Sequence, residues 1–464
     1  MSRNAPEMDM LNGPLLPKII RFSLPLAATG ILSLLFNAAD VIVVGKFAGA
    51  NSLAAVGATS ALINLLVGLF INISVGVNIL VARYIGCRQE ENASRVIHCS
   101  YALSALLGIL LMVTGLILSP VLLRLMDTPE ELLPLSDQYL RIYFIGIPFQ
   151  LMYQFGAAVL RAFGDTKRPL YFLTISGVVN VILNLFFVIV CHLDVAGVAI
   201  ATSISQFISF ILVTVHLMHR SDFGRLELKK IRLYKSETLH IIQIGLPMGF
   251  QSICFNIANV TIQGAINGFG SSIVAANTAE ANIEGFIYTA MNSVFHAAIT
   301  FSSQNLGAGR LDRIPKVYRN SMITVLGIGI SMCALSYFFC PQLLTIYVSK
   351  SDPAFEDIVA YGIIRNRNLG VIYFLCGVME VSCGMVRGLG KTWTPMIVSA
   401  LGACVLRIVW LSTVFQAVHT LPVVYQCYFV SFIVTATAHF ICYKLAYRKL
   451  KEKTAELAAR PKHA

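Results

Sequence analysis

Arg161-Ala-Phe-Gly-Asp-Thr-Lys-Arg-Pro-Leu170 is echoed half a chain later by Arg387-Gly-Leu-Gly-Lys-Thr-Trp-Thr-Pro-Met396. Arg161, Gly164, Thr166 and Pro169 of the first copy match Arg387, Gly390, Thr392 and Pro395 of the second, in register. In each copy a hydrophobic segment ends, a short basic turn follows, and Pro opens another hydrophobic segment. One Gly-rich turn would mean little, but a matched pair points to two structural repeats. Ile19-Ile-Arg-Phe-Ser-Leu-Pro25 returns as Ile241-Ile-Gln-Ile-Gly-Leu-Pro247. Gly49 with Ala54-Ala55 returns as Gly270 with Ala275-Ala276, and Ile85-Gly86 as Leu306-Gly307. The matches keep their order, and their small drift in offset is what loop insertions leave between diverged halves.

Of 464 residues, 56% are hydrophobic and only 12% charged, against roughly 25% charged in soluble domains. Such long apolar runs belong in a bilayer. There the backbone must satisfy its own hydrogen bonds, which leaves helices or closed barrels. The runs do not alternate, so helices are expected. Residues 1–18 lack the short apolar region and small-residue cleavage site of a signal peptide, so the first span is expected to be retained. The net charge of +12 sits in short loops between spans, a membrane-topology pattern rather than a nucleic-acid footprint. The eleven cysteines are scattered, with no Cys-x-x-Cys or Cys/His cluster, and read as small buried hydrophobes.

The first half gives spans near 17–44, 54–82, 95–119, 138–160, 170–191 and 196–218. The second gives 239–267, 273–302, 317–340, 361–386, 395–417 and 421–446. The expected organisation is a first six-helix lobe over 1–218, a basic linker over 219–238, a second lobe over 239–446, and a charged tail over 447–464. The linker reads as an interfacial segment, with a short amphipathic helix on anionic lipid as one form. Six spans per half is an even number, so both halves enter from the same side and the repeats are parallel. Lys and Arg concentrate in one set of loops, around Arg83, Arg88, Arg161, the linker, Arg310, Arg313 and Arg387. The opposite loops carry Asp127, Glu130, Glu131, Asp194, Asp352 and Glu356. Positive loops face the cytoplasm, which places both termini and the linker there, in a multi-pass protein of the cell membrane.

The sequence now resembles the multidrug and toxic compound extrusion (MATE) family, in pattern its DinF-like branch. The likeness covers nearly the whole chain. It rests on Asp40-Val-Ile-Val-Val-Gly45 with Ala54-Ala-Val-Gly57, on the two Arg-x-x-Gly-x-Thr turns, on Gln304-Asn-Leu-Gly-Ala-Gly309, and on Asn180 with Asn184. The resemblance implies an all-α integral membrane protein whose twelve transmembrane helices form two lobes around a central cleft. It implies an antiporter that expels organic, often cationic compounds in exchange for protons or sodium.

An ionisable group at membrane depth is a functional candidate by default. Counting along the helices at about 1.5 Å per residue puts Asp40, Asn184 and Thr202 roughly 6, 10 and 9 Å below the outer ends of their spans. Asn180 lies one turn deeper than Asn184 on the same face. One carboxylate with amide and hydroxyl oxygens can take a proton or coordinate sodium; a hydrogen-bond network joining helices is the structural alternative. In the resembled family the matching group is the proposed ion-coupling site. Many members carry a second acid where this chain has Asn184, which leaves Asp40 the lobe's one titrating group.

The second half offers Glu280 and Glu284, one turn apart, with Glu380 and Arg407, for coupling or cation binding. Glu380 and Arg407 are also expected as a buried ion pair. Arg161 and Arg387 are expected to hold helix-ending carbonyls beside the turns at Gly164 and Gly390. His296 and His439 read as core residues, and Pro25 and Pro247 as hinges. Phe36, Tyr153, Phe155, Phe255 and Tyr373 are more often packing residues than a cleft lining.

The sequence holds no His-Glu-x-x-His, Gly-x-Ser-x-Gly or phosphate-binding Gly-x-x-x-x-Gly-Lys-Ser/Thr motif, which argues against a membrane-embedded enzyme and against ATP as the energy source. A flippase for lipid-linked sugars is the alternative transporter, and a cleft rich in Arg would favour it. No cofactor, resident metal or nucleic-acid partner is expected; a sodium ion at Asp40 would be a coupling ion. The partners expected are a small organic substrate and the bilayer, around a monomer.

Overall fold

The computed structural model describes residues 8–126, 128–348, 350 and 353–459. Asp127 and Asp352, counted above among the loop acids, lie outside the described residues. Among the described residues there is no strand. The helices of the first repeat are α1 (Leu15–Val43), α2 (Ala50–Gly86), α3 (Glu90–Leu125), α4 (Leu133–Ala162), α5 (Lys167–Leu185) and α6 (Asp194–Met218). Those of the second are α7 (Lys235–Asn267), α8 (Ser271–Gly307), α9 (Ile314–Phe338), α10 (Cys340–Leu344), α11 (Phe355–Asn368), α12 (Phe374–Gly388), α13 (Trp393–Ser399), α14 (Leu406–Ser412), α15 (Val414–Ala417) and α16 (Leu421–Ala459).

Eleven described spans are long and apolar enough to cross a membrane. The twelfth expected span falls on α8. At 37 residues it is about 55 Å long, more than the roughly 30 Å of a bilayer core. It falls short on apolarity alone, because it carries Asn277, Glu280, Glu284 and Gln304, all buried within the protein.

The two repeats match down to backbone angles. Gly49 and Gly270 precede α2 and α8 at φ 90° and 105°. After α4, Gly164 (φ 84°) donates its N–H to Arg161 O at 2.9 Å, and Asp165 donates to Leu160 O at 2.9 Å. After α12, Gly390 (φ 86°) donates to Arg387 O at 2.8 Å, and Lys391 to Val386 O at 3.2 Å. These are Schellman-type endings, which need a left-handed residue and favour glycine. Gly164→Ala and Gly390→Ala should therefore cost about 1–2 kcal/mol each, read as a lower melting temperature in detergent. Asn at either position should recover part of the loss. No loss in either variant would mean that the turns do not hold the helix ends.

Two compact units form. One gathers Ala28–Gly249, the other Met10–Ala27 with the chain from Phe250 on. The division runs through α1 and α7, within three residues of Pro25 and Pro247, and the 219–238 linker belongs wholly to the first unit.

In the first unit α4 packs against α2, α3 and α6. Close approach comes from small residues: a Cβ on Gly108 would stand 2.5 Å from Pro148 Cα. The linker is not an amphipathic helix. It is a strap with one short 3-10 turn, Leu228–Lys230. Arg220 binds Asp222 through two hydrogen bonds, one of 2.8 Å, and lies 4.2 Å over the Phe163 ring. Leu226 is buried, and Glu227 N–H donates to His98 Nε2 at 3.0 Å. His98 Nδ1 then donates to Ser94 O at 2.7 Å, which fixes the tautomer.

In the second unit α12 takes the central place, against α8, α9 and α16. Residues 10–13 clip onto the α8–α9 turn: Asn305 donates to Met10 O at 3.2 Å and Arg313 to Gly13 O at 3.0 Å. Phe22 of α1 meets Phe301 edge-on at 5.7 Å. The tenth span is broken, with a 3-10 turn at Gly370–Ile372 separating α11 from α12.

Candidate functional site

Each unit holds a cluster of candidate polar residues within its spans. In the first unit, α1 supplies Asp40, α5 Asn180 and Asn184, and α6 Thr202. They form one string. Asn184 Nδ2 donates to Asp40 Oδ1 and, at 3.2 Å, to Asn180 Oδ1. Asn180 Nδ2 donates to Thr202 Oγ1 at 3.4 Å. The two asparagines are buried, whereas Asp40 and Thr202 are half-buried. Asn184 Oδ1 is buried with no hydrogen-bond partner among the described residues. A buried acceptor left open costs free energy, and here it lies beside a carboxylate. Gly177 of α5 lets the Phe36 ring of α1 approach the helix, since a Cβ there would stand 1.9 Å from that ring. That contact helps hold α1 against α5 and so holds Asp40 near Asn184. The four residues singled out from the sequence are thus brought together.

In the second unit Glu280 and Glu284 are buried on one face of α8, each with its own partners on α11. Arg365 Nη2 donates to Glu284 Oε2 at 2.6 Å, and Nη1 to Asn277 O. Asn366 Nδ2 donates to Glu280 Oε2 at 3.2 Å and to Ser336 Oγ at 2.8 Å. Cys340 Sγ completes the set with a 3.1 Å contact to Glu280 Oε1. Sequence reasoning missed Arg365. The signal was there: Arg365-Asn-Arg-Asn368 lies inside the expected 361–386 span, and a guanidinium at that depth calls for an acid partner.

Two expectations are corrected. Glu380 and Arg407 do not form an ion pair. Arg407 donates Nε–H to Ser431 Oγ at 2.8 Å and stacks on Tyr428 and Phe432 of α16. The cause is a π-helical run, Ala400–Val405, just before α14. Its extra residue turns the phase of the helix and sends Arg407 toward α16. Arg161 and Arg387 do not hold helix-ending carbonyls either. Arg387 Nη2 donates to Gln251 Oε1 of α7 and lies 5.6 Å from the Phe295 ring. Arg161 is buried beside Tyr153, and among the described residues its Nε has no partner. Arg387 turns into its unit because the Gln251 oxygen and the Phe295 ring outcompete carbonyls already used by the turn. His439 is a core residue, with Nε2 3.1 Å from Ser399 Oγ.

Comparison with known proteins bears on the whole chain. The MatE family model matches residues 25–186 and 247–411, two segments that begin on the repeated prolines. The chain is 27% identical over 388 residues to "Probable multidrug resistance protein YoeA" of Bacillus subtilis, covering 82% of each. It is 25% identical over 366 residues to the "FAD transporter" of Shewanella oneidensis, covering 76% of this chain and 79% of that one. Among solved structures, a MATE protein in complex with MaL6 superposes with a TM-score of 0.89 at 23% identity, covering 96% of this chain and 98% of that one.

Proposed function

This chain belongs to the MatE family, and on that premise we propose that it is a multi-pass membrane exporter that expels small organic compounds in exchange for an inward-moving proton or sodium ion. The observation that carries the reading is the Asp40–Asn184–Asn180–Thr202 string. It offers one carboxylate, an unpartnered buried amide oxygen and a hydroxyl, a set of hard oxygens suited to a proton or a small hard cation. Relatives named for multidrug resistance support a range of organic substrates. A relative named FAD transporter adds an anionic one.

The mechanism follows from the cost of burying charge. Empty, the Asp40 carboxylate favours the conformation that gives it water. Neutralised by a proton or a sodium ion, it is less costly to bury, so the ion and the substrate stabilise opposite conformations. Exchange then needs no shared contact between ion and substrate. Sealed vesicles loaded with a fluorescent organic dye test this: efflux should follow an imposed pH or sodium gradient and stop when both are collapsed. Dye movement unaffected by either gradient would overturn the exchanger.

Orientation is part of the proposal: the basic loops and both termini face the cytoplasm. Two native thiols report it, since Cys87 lies in the α2–α3 loop and Cys191 in the α5–α6 loop, both exposed. An impermeant maleimide added to intact cells should label Cys191 and spare Cys87. Labelling abolished by Cys87→Ser rather than Cys191→Ser would invert the topology.

A further inference from the structure

We propose that the second unit holds a binding site for an organic oxyanion, a carboxylate or a phosphate, at Arg407. The side chain is 3% exposed, and among the described residues no acid comes within ion-pairing distance of it. An arginine inside a membrane-spanning unit is costly and cannot escape by losing its proton. Buried charges are ordinarily paired. Here both of the unit's α8 acids are engaged elsewhere, Glu284 by Arg365 and Glu280 by Asn366, and Glu380 makes no pair with Arg407.

What holds Arg407 is aromatic. Its guanidinium carbon stands 4.3 Å from the Tyr428 ring centroid and 5.2 Å from that of Phe432. Those faces stabilise the cation and fix its plane. Nε–H is taken by Ser431 Oγ, which itself donates to Tyr428 O at 3.0 Å. Among the described residues, only this one of the five N–H groups has a protein acceptor. The other four belong to the terminal amino groups, and such a planar fork matches the two oxygens of a carboxylate or phosphate.

A second, independent feature points to the same place. Tyr373 follows directly after the 3-10 turn that breaks the tenth span, and its ring meets Phe432 edge-on at 6.0 Å. Discontinuous helices in transporters gather at substrate sites. The corresponding span of the first unit, α4, is unbroken. Among the described residues, the second unit therefore combines a broken helix, an aromatic shelf and a guanidinium without an acid partner. An aromatic ring carrying an oxyanion would stack on the shelf while its oxygens take the fork.

The site deepens the exporter reading by naming a substrate class, but binding is tested without any gradient. The probe is phenyl phosphate, with phenyltrimethylammonium as the same ring bearing the opposite charge, and thermal melting of the full-length protein in detergent as the readout. At roughly tenfold excess over its dissociation constant, phenyl phosphate should raise the wild-type melting temperature by about 1–2 °C. The ammonium and sodium chloride of equal ionic strength should not. Arg407→Gln should lose the shift, and Arg407→Lys, which keeps the charge without the fork, should lose at least half. Absence of a phosphate shift in the wild type, an equal shift with the ammonium, or a full shift retained by either variant would overturn the site. Should Arg407→Gln fail to fold, the Lys variant and the wild-type contrast decide. Ion-driven export could fail in vesicles with this shift intact, and the reverse is equally open, so the two readings fall separately.

Discussion

Asp40→Asn should give a folded protein that has lost its engine: gradient-driven efflux falls about tenfold or more, equivalent to at least ~1.4 kcal/mol of lost drive, with little change in melting temperature. The substitution is nearly isosteric. The introduced carbonyl can still accept from Asn184 Nδ2, and the introduced NH2 can donate to the unpartnered Asn184 Oδ1, so the α1–α5 contact survives. What goes is the charge that made the two conformations respond differently to an ion. Asn184→Asp should act in the opposite sense, adding a second carboxylate and shifting the dependence toward sodium. Efflux from sealed vesicles under each gradient in turn is the measurement. An Asp40→Asn protein that pumps at the wild-type rate under both gradients would remove this string from coupling and leave Glu280, Glu284 and Glu380 as candidates.

The string was legible because each of its links is local or counted along a regular helix. Asn180 and Asn184 share a face by their spacing alone, and depth below a span's end follows from rise per residue wherever the helix is regular. The two repeats were legible for a similar reason: Gly164 and Gly390 mark backbone angles that few other residues adopt, so the turn leaves a readable trace. Arg407 shows where such counting stops. Its height in the span was estimated from Pro395, but its direction depends on the π-helical run Ala400–Val405, which no residue type announces. The linker failed differently. Its basic residues suggested a lipid surface, while Asp222, Phe223, Gly224 and Leu226 are what dock it, through Phe163 and the base of α6. Nor does any local pattern say which neighbour a helix half will pack on, so the division of α1 and α7 between the two units was invisible to a reading by repeats.

The largest stability effect should come from the pair that sequence reasoning missed. Glu284 and Arg365 meet at 2.6 Å with side chains only 5–6% exposed, and removing one partner of such a pair costs about 3–5 kcal/mol because the other is left charged and buried. Removing both, as in Glu284→Gln with Arg365→Met, should recover most of that loss. The two single variants should also differ. An orphaned carboxylic acid can take up a proton and become neutral, whereas an orphaned guanidinium cannot. Glu284→Gln should therefore be the more damaging change, although Arg365 retains its bond to Asn277 O and the Tyr425 ring 5.8 Å away. A double-mutant cycle on thermal stability reads both effects, and the same cycle across Glu380 and Arg407 supplies the control. The first should show a coupling of several kcal/mol and the second close to none, since Arg407 leans on Tyr428 and Phe432 instead of an acid. Additive behaviour at Glu284 and Arg365 would show that the acid is not committed to the arginine. It would then be free to serve as a second ion site, with α8 and α11 sharing the work here assigned to Asp40.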